Sequence, residues 1–463
     1  MRKFIGDKTF YKTMFAVAVP LMLQNAITSF VAMLDNIMVG RVGTEQMAGV
    51  AIANQLLFIY QLLIFGGISG AGIYTSQFHG LKDHKGIAYS FRFKLIIFGV
   101  VAAVATSVLL GFDTELIGLY LRSSSSKGDP VLTLGYAKEY MRIMLIGFVP
   151  FSLAQVYAST LREMKQTLLP MISGVLAVIV NVVLNYILIF GKLGFPVLGV
   201  NGAAIATMIS RFVELAVVAV WTHANSKKYL FIKTAYKSLA VPKKLAGKIT
   251  VTSLPLLVNE GIWSVGMAIL AQCYSYRGIY AMAGYNIANT MMQVSMLCCF
   301  AMGNAITILV GNKLGSGDIE GAKDTDRKLI AFAVVSGIAI GALFAGIAPI
   351  FTQIYKTQEE VRTIAKFIII INSVILPIHS YNHCAYFTLR CGGKTFITFL
   401  FDGLYTLVIN VPLAFAVSRF TALDIIPLYL VCQSAEVLKA IIGSLFLKFG
   451  NWANTIVSKH IKV

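Results

Sequence analysis

Twelve long apolar segments dominate this sequence and limit what it can fold into. They lie near residues 14–38, 47–69, 93–112, 133–157, 169–190, 201–224, 249–273, 282–308, 329–352, 363–388, 397–417 and 425–449. Each is close to the roughly 20 residues that a helix needs to cross the hydrocarbon core of a bilayer. Only 13% of the 463 residues are charged, whereas a soluble domain carries about 25%. The pattern predicts an all-α integral membrane protein with 12 transmembrane helices.

The basic residues are unevenly divided between the loops on the two sides of these spans. The formal net charge is +19, and most of the lysines and arginines fall in alternate loops, counted from the N-terminus. Cytoplasmic loops of membrane proteins carry such an excess. We therefore predict that both termini are cytoplasmic and that the protein lies in the cell membrane. The same distribution accounts for the charge without a nucleic-acid partner.

Two short stretches reveal an internal duplication. Residues 47–55 read MAGVAIANQ and residues 282–290 read MAGYNIANT. The same offset of 235 positions (282 minus 47) aligns Pro20 with Pro255, and it aligns GLKDHKG at 80–86 with GSGDIEG at 315–321. The small residues of the repeated words indicate close packing of the second helix of each copy.

The duplication predicts two six-helix lobes. Six spans separate equivalent helices, so these helices run in the same direction, and a pseudo-two-fold axis along the membrane normal relates the lobes. We expect the linker to tether the lobes loosely. The predicted division is a cytoplasmic segment 1–12, an N-lobe 13–224, a basic cytoplasmic linker 225–248, a C-lobe 249–450 and a cytoplasmic tail 451–463.

Charged residues inside spans are costly and therefore paired or functional. The acids in question are Asp35, Glu214, Glu260, Asp402 and Glu436. Glu214 lies three residues after Arg211, and Glu436 lies three residues before Lys439, so each pair shares a helix face. We predict that both pairs are structural ion pairs. For Asp402, near the start of its span, the simplest interpretation is snorkelling or helix capping.

Glu260 is the strongest candidate for a functional acid. It lies about eleven residues into its span, or roughly 16 Å, with no basic residue within a turn. It could bind a proton, a sodium ion or a cationic substrate, unless a partner on another helix neutralises it. At the repeat offset it matches Asn25, while Asn259 matches Gln24. Asp35 shares a helix face with Gln24 and Thr28, and from the residues alone it is either functional or an ordinary helix-end acid.

Further polar residues gather on two other spans. Asn181 and Asn185 are four residues apart and share a face, as do His379, Asn382 and His383. The histidine spacing allows metal binding, polar lining with proton relay, or buried histidines bonded to neighbouring helices. We predict no metal site and place these three residues, with Gln24, Asn25, Thr28, Asn54, Asn259 and Asn289, in a substrate cavity.

Two segments resemble signatures of a known transporter family. VNVVLNYILIFGKLGFPVLGVNGAAIATMIS at 180–210 and LDNIMVGRVGTEQMAGVAIANQ at 34–55 are similar to motifs of the multidrug and toxic compound extrusion (MATE) family. The resemblance implies a V-shaped pair of lobes and cation-coupled efflux. It also implies that Asp35 couples cations, with Asn181 in the same polar cluster. Asn185 stands where some members have an acid.

The resemblance also concerns the second half of the chain. Glu260 matches a glutamate found in one subgroup, but His379 stands where that subgroup has an aspartate. The sequence therefore predicts cation coupling by Asp35, Glu260, Asn181 and Asn185, in an antiporter that exchanges H+ or Na+ for amphipathic, mostly cationic compounds. It needs no cofactor and is expected to be a monomer. The alternatives are a flippase for lipid-linked precursors and a membrane enzyme that uses the two histidines.

Overall fold

The computed structural model of the protein is described for residues 4–123 and 129–457. Parts of the predicted segments 1–12 and 451–463 therefore lie outside the described residues. Within the described ranges the secondary structure is entirely helical. The helices are α1 (Lys8–Gly40), α2 (Thr44–Gly80), α3 (His84–Gly111), α4 (Asp113–Ser123), α5 (Pro130–Ile146), α6 (Phe148–Glu163), α7 (Leu168–Phe190), α8 (Gly199–Ala224), α9 (Phe231–Ala235), α10 (Lys243–Ser275), α11 (Ile279–Gly315), α12 (Ile319–Gln353), α13 (Glu359–Cys391), α14 (Thr395–Phe399), α15 (Val411–Phe420) and α16 (Ile425–Phe449).

The number of spans agrees with the prediction. Among the described residues, 11 helices are long and apolar enough to cross a membrane, and up to 12 spans result when a bent pair counts as one. That pair is α5 and α6, which meet at Gly147 with a bend of 46°. The eleventh span, Thr395–Phe420, is irregular because two π-helical stretches, Leu400–Leu404 and Thr406–Asn410, separate α14 from α15. The chain is an all-α, multi-pass membrane protein.

The duplication is visible where the third helix of each copy begins. Asp83 caps α3 by accepting hydrogen bonds from the backbone N–H groups of Lys85 and Gly86. Its repeat counterpart, Asp318, caps α12 by accepting one from the N–H of Gly321. Such caps satisfy N–H groups that have no partner inside the helix. The aligned positions therefore do the same structural work in both copies.

The repeated words pack as predicted. A Cβ on Gly49 would come within 2.9 Å of a main-chain oxygen of α5, and one on Gly284 within 2.5 Å of Ile364 on α13. Both glycines thus allow the second span of a copy to approach the fourth span of the same copy, namely α2 to α5 and α11 to α13. Because a larger side chain would push these helices apart, the packing interpretation of the two words is confirmed.

The described residues divide into two compact units. The N-unit comprises 23–75 and 83–247, and the C-unit comprises 4–22, 76–82 and 248–457. The start of α1 thus belongs to the C-unit, where Met14 and Leu21 join its core. In the same unit, Gln77 near the end of α2 donates a hydrogen bond to the carbonyl of Asn454 and accepts one from the N–H of Ile456. The predicted lobe boundaries, the V shape and the cytoplasmic termini stay predictions.

The basic linker is folded rather than free along much of its length. It contains α9, whose Phe231 and Ala235 are fully buried in the N-unit. Arg92 of α3 donates hydrogen bonds to the main-chain carbonyl of Ala235 at 3.0 Å and to that of Ala240 at 2.8 Å. The expectation of a loose tether is therefore wrong for this part of the linker.

Candidate functional site

The N-unit brings Asp35 together with two predicted asparagines. Asp35 lies on α1 and both asparagines lie on one face of α7, because they are four residues apart. The amide nitrogen of Asn185 donates to Asp35 Oδ1 at 2.6 Å and to Asn181 Oδ1 at 3.2 Å. Asn181 in turn contacts the hydroxyl of Thr207 on α8 at 3.1 Å. We call these four residues the N-site.

One buried acceptor of the N-site has no hydrogen-bond partner among the described residues. If the amide of Asn181 is turned, its nitrogen donates to Asp35 Oδ1 at 3.1 Å and its oxygen accepts from Thr207. Among the described residues, Asn185 Oδ1 is buried without a hydrogen-bond partner. A buried polar atom without a partner costs roughly 1–3 kcal/mol, so a bound proton donor or cation at this position would recover that free energy.

An arginine lies near the N-site but is bonded elsewhere. Arg211 of α8 forms the predicted ion pair with Glu214 at 3.0 Å. Its guanidinium also lies over the ring of Phe151, 5.0 Å from the ring centre. Arg211 is close enough to act electrostatically on Asp35, but the Asp35 carboxylate is held by neutral amides.

The other N-unit residues predicted for the cavity have mixed environments. Gln24 is half-buried beside Gly174 of α7, where an added Cβ would lie 3.1 Å from the Gln24 amide nitrogen. Thr28 is exposed and donates its hydroxyl to the Gln24 carbonyl of its own helix. Asn25 is half-buried, and the exposed Asn54 accepts a hydrogen bond from the hydroxyl of Tyr140 at 3.3 Å. The structure thus gathers Asp35, Asn181 and Asn185 into one cluster but not these four.

In the C-unit, two residues shortly after Pro255 enter a second polar cluster. Asn259 of α10 is buried, and its amide nitrogen donates to Asp402 Oδ2 at 3.0 Å. The hydroxyl of Tyr386 on α13 donates to Glu260 Oε1 at 3.3 Å. Lys439 of α16 donates to Asp402 Oδ1 at 2.8 Å. We call Asn259, Glu260, Tyr386, Asp402 and Lys439 the C-site.

The contacts between Asn259 and the eleventh span fall within the π-helical stretch Leu400–Leu404. The backbone N–H of Gly403 donates to the side-chain oxygen of Asn259 at 2.8 Å. A Cβ at Gly403 would lie 2.7 Å from that oxygen, so only glycine allows the approach. Irregular backbone inside a membrane protein requires such partners for its polar groups, and π-helical turns occur frequently at functional sites.

The contacts of the C-site correct two predictions, the ion pair between Glu436 and Lys439 and the snorkelling or capping role of Asp402. Lys439 bonds to Asp402 on a neighbouring helix rather than to Glu436 on its own helix. Asp402 does not reach the membrane surface or cap a helix, because Lys439 and Asn259 hold it inside the unit. Glu260 accepts a hydrogen bond from a neutral group on another helix, the hydroxyl of Tyr386. Its charged neighbours are Arg390 and Asp402.

Glu436 is held mainly by neutral groups. The amide of Asn382 donates to its carboxylate at 2.9 Å, and the amide of Asn410 does so at 3.4 Å. His379 lies 3.6 Å from the same carboxylate and bonds to Gln433 through its other ring nitrogen at 3.2 Å. His379 is thus bonded to α16, which was one of the three interpretations of the histidine pair.

His383 lies beside the C-site, because its ring stacks on that of Tyr386 with ring centres 6.4 Å apart. The ring of His383 packs between aromatic rings, 4.9 Å from Phe300 and 4.9 Å from Phe387. Its Nε2 atom is buried without a partner among the described residues. Asn289 is half-buried. Among the described residues, no group of three or more histidine, cysteine, aspartate or glutamate side chains could hold a metal ion.

Sequence reasoning missed several members of these clusters. Tyr386 continues the face that holds His379 and His383, so extending that face by one turn would have found it. Thr207 lies inside the family-like segment 180–210, but nothing in its spacing distinguishes it. A further buried ion pair was also missed: in the N-unit, Lys94 binds Glu163 at 2.6 Å.

Comparisons with known proteins agree with the duplicated, membrane-spanning fold. The MatE family model matches residues 20–187 and 255–416, two blocks that begin at the two aligned prolines. The probable multidrug resistance protein NorM of Thermotoga maritima is 25% identical over 456 residues, covering 98% of this chain and 95% of NorM. The probable multidrug resistance protein YoeA of Bacillus subtilis is 24% identical over 423 residues, covering 90% of this chain and 89% of YoeA.

Solved structures of similar fold span nearly the whole chain. A crystal structure of MATE in the bent conformation has a TM-score of 0.85 at 21% identity and covers 97% of this chain and 96% of its own. An outward-facing multidrug resistance MATE family transporter of the MOP superfamily has a TM-score of 0.84 at 21% identity, with 97% of both chains covered. At this identity the likeness establishes the fold.

Proposed function

Because this chain belongs to the MatE family, whose members are transporters rather than enzymes, we propose that it is a secondary active multidrug efflux antiporter. It exchanges H+ or Na+ for amphipathic, mostly cationic organic compounds, by alternating access of its two six-helix halves. The similarity to proteins named for multidrug resistance supports efflux. The chain works as a monomer in the cell membrane and needs no cofactor besides the coupling ion.

One observation carries the assignment of coupling: Asp35 is held by neutral groups. Among the described residues, the Asp35 carboxylate accepts a hydrogen bond from the Asn185 amide and has no ion pair. A carboxylate inside a span is costly unless it is neutralised. A proton or sodium ion from outside would supply the missing positive charge, and the unpartnered oxygen of Asn185 would provide a further ligand for it.

Glu260 is the second coupling candidate. Its hydrogen bond comes from the neutral hydroxyl of Tyr386. Asp402, by contrast, is already neutralised by Lys439, and this makes Glu260 the better candidate in the C-site. The half-buried polar residues Gln24, Asn25 and Asn289 are proposed to contribute to substrate binding.

The decisive experiment is uptake of a fluorescent organic cation into inverted membrane vesicles under an imposed proton or sodium gradient. We expect one of the two gradients to drive uptake by the wild-type protein. Asp35→Asn should abolish the gradient-driven uptake, because the amide cannot bind a proton or balance a cation. Glu320→Gln, at an exposed position on α12, serves as the matched control and should transport normally. Gradient-driven uptake by Asp35→Asn at the wild-type rate would refute the role of Asp35.

The flippase alternative is disfavoured because three cations of the spans are engaged in ion pairs. A lipid-linked pyrophosphate is anionic and would require lysine or arginine side chains in the transport pathway. Arg211 is paired with Glu214 and Lys439 with Asp402, and Lys94 is paired with Glu163. The three cations would be free to bind an anionic substrate only if the three acids were replaced by neutral side chains. The observed pairing therefore favours the antiporter.

A further inference from the structure

The linker between α8 and α10 carries an unusual concentration of positive charge. Between Glu214 and Glu260 the sequence contains no acidic residue. Six lysines of this region belong to the N-unit, and all six are exposed: Lys227, Lys228, Lys233, Lys237, Lys243 and Lys244. Within the described ranges, none of the six takes part in an ion pair. We call them the linker lysines.

Arg92 fixes the backbone that carries these lysines. Its guanidinium donates to three main-chain carbonyls, those of Thr234 at 2.6 Å, Ala235 at 3.0 Å and Ala240 at 2.8 Å. The first two carbonyls lie at the end of α9, and that of Thr234 also accepts a hydrogen bond from the backbone N–H of Lys237 at 3.1 Å. The planar guanidinium offers five N–H donors in a fixed arrangement, which a lysine cannot reproduce. Residues 234–240 are thus fastened to α3.

Aromatic contacts also hold the same segment against the N-unit. Phe91 is fully buried and contacts Phe231, with ring centres 5.5 Å apart. The hydroxyls of Tyr236 and Tyr157 are hydrogen-bonded at 2.6 Å, and Tyr157 also bonds to His223. The linker is therefore an ordered surface that exposes its lysines, and we call this surface the platform. A ligand that binds these lysines loses little free energy to ordering of the chain.

The platform lies next to the membrane. It follows α8 directly and ends where α10 begins, and both helices are membrane spans. It also exposes apolar side chains beside the lysines: Leu230 is 41% exposed and Leu239 is 59% exposed. Lysines flanked by exposed apolar side chains at membrane level match the chemistry of an anionic lipid surface, where headgroups attract the charges and the acyl boundary receives the apolar groups.

We propose that the linker lysines form a binding surface for anionic phospholipid headgroups. The phosphate and its negative charge bind the ammonium groups, while Leu230 and Leu239 enter the boundary below the headgroups. Since Arg92 fixes the platform to α3, the bound lipid is attached to the N-unit. This inference does not depend on the transported substrate or on the coupling ion.

A tryptophan beside the platform allows a direct test. Trp221 lies near the end of α8, and its ring contacts that of Tyr229 in the linker, with ring centres 5.5 Å apart. The chain has three tryptophans, so Trp263→Phe and Trp452→Phe leave Trp221 as the sole reporter. The full-length protein is placed in vesicles that contain equal mole fractions of brominated phosphatidylglycerol or brominated phosphatidylcholine, and quenching of Trp221 is compared.

We expect the phosphatidylglycerol to be preferred at Trp221. A lysine near an anionic surface contributes about 1 kcal/mol, so each lysine that contacts the headgroup should raise relative binding about fivefold. The preference should fall with added salt. A protein in which all six linker lysines are replaced by glutamine should lose the preference. A separate protein with Trp221→Phe and Trp452→Phe keeps only Trp263, which lies about twenty residues into α10, roughly 30 Å along the helix. This reporter should show no preference, with or without the six glutamine substitutions.

Three outcomes would overturn the proposal. The first is equal quenching of Trp221 by the two lipids in the wild-type background. The second is a preference that survives the six substitutions, or one that is equally large at Trp263. The third is the first outcome accompanied by salt-sensitive binding of added RNA or of an acidic protein. That result would assign the linker lysines to a soluble partner.

Discussion

The buried ion pair between Asp402 and Lys439 offers a quantitative test of the C-site. The two charges are 2.8 Å apart, so at an effective dielectric constant of about 20 their attraction is roughly 6 kcal/mol. The cost of removing two charges from water offsets much of this attraction. Removing one partner leaves the other charge buried and unpaired, and it should therefore cost about 3–5 kcal/mol. We expect this loss for Asp402→Asn and for Lys439→Met.

Replacing both partners should cost much less than the sum of the two single changes. In the double variant, which combines Asp402→Asn with Lys439→Met, the side chain at position 402 is a neutral acceptor for the amide of Asn259. No unpaired charge then remains from the pair, and such replacements are often nearly neutral.

Unfolding can be followed with a thiol-reactive dye, because five of the six free cysteines are buried and become reactive on unfolding. The melting temperature of the double variant should lie above that of either single variant. Glu320→Gln supplies the control for substitution at an exposed paired acid. A double variant that melts below both single variants would refute the ion-pair interpretation.

Two further predictions concern packing and pH. Gly49→Ala and Gly284→Ala should each destabilise the protein by about 1–3 kcal/mol, because each added Cβ lies within 3 Å of a neighbouring helix; melting temperatures equal to wild type would contradict this packing. Asp113, at the start of α4, is the second case. Burial raises its pKa, but hydrogen bonds and charges from Lys138, Thr114 and Arg142 outweigh burial and leave the pKa below the usual value. Its contribution to stability is present above the unfolded pKa of about 3.9 and is lost as pH falls through the folded pKa. Asp113→Asn should therefore melt below wild type at neutral pH and with it in acid; a pH-independent difference would contradict the assignment.

The helical scaffold was predictable because the duplication places equivalent residues at equivalent positions in both copies. Pro20 and Pro255 both lie inside long helices, as the offset requires. Lys82 and Gly317, which the same offset aligns, both have positive φ angles, 59° and 83°, just before a capping aspartate. A backbone geometry that recurs at aligned positions reflects the same turn chemistry in both copies. Periodicity and repeat register therefore determine where helices begin and how they pack.

The partners of the buried charges were only partly predictable. A spacing of three residues places an acid and a base on one helix face, and this was sufficient for Arg211 and Glu214. It failed for Lys439 because Asp402, on the π-helical stretch of the eleventh span, lies 2.8 Å from its ammonium group. A side chain inside a bundle meets groups from several helices, and helical spacing describes only one of them. The irregular backbone that decides the competition has no signal in hydrophobic periodicity.

The two units use the same helices to hold an acid but neutralise it differently. In each copy, a hydrogen bond joins an acidic side chain and an amide side chain on the first and fifth spans. The two copies differ in which span carries the acid. Asp35 on the first span bonds to Asn185 on the fifth, whereas Asn259 on the first span of the second copy bonds to Asp402 on the fifth.

The sixth span of each copy supplies the cation, and here the copies diverge. In the N-unit, Arg211 pairs with an acid of its own helix and leaves Asp35 with amides. In the C-unit, Lys439 pairs with Asp402, and Glu436 of its own helix is left with two amides and His379. An acid with an internal cation has little need of an external one. Under the proposed coupling mechanism, the divergence between the copies therefore favours Asp35 as the acid between the first and fifth spans that binds the coupling ion.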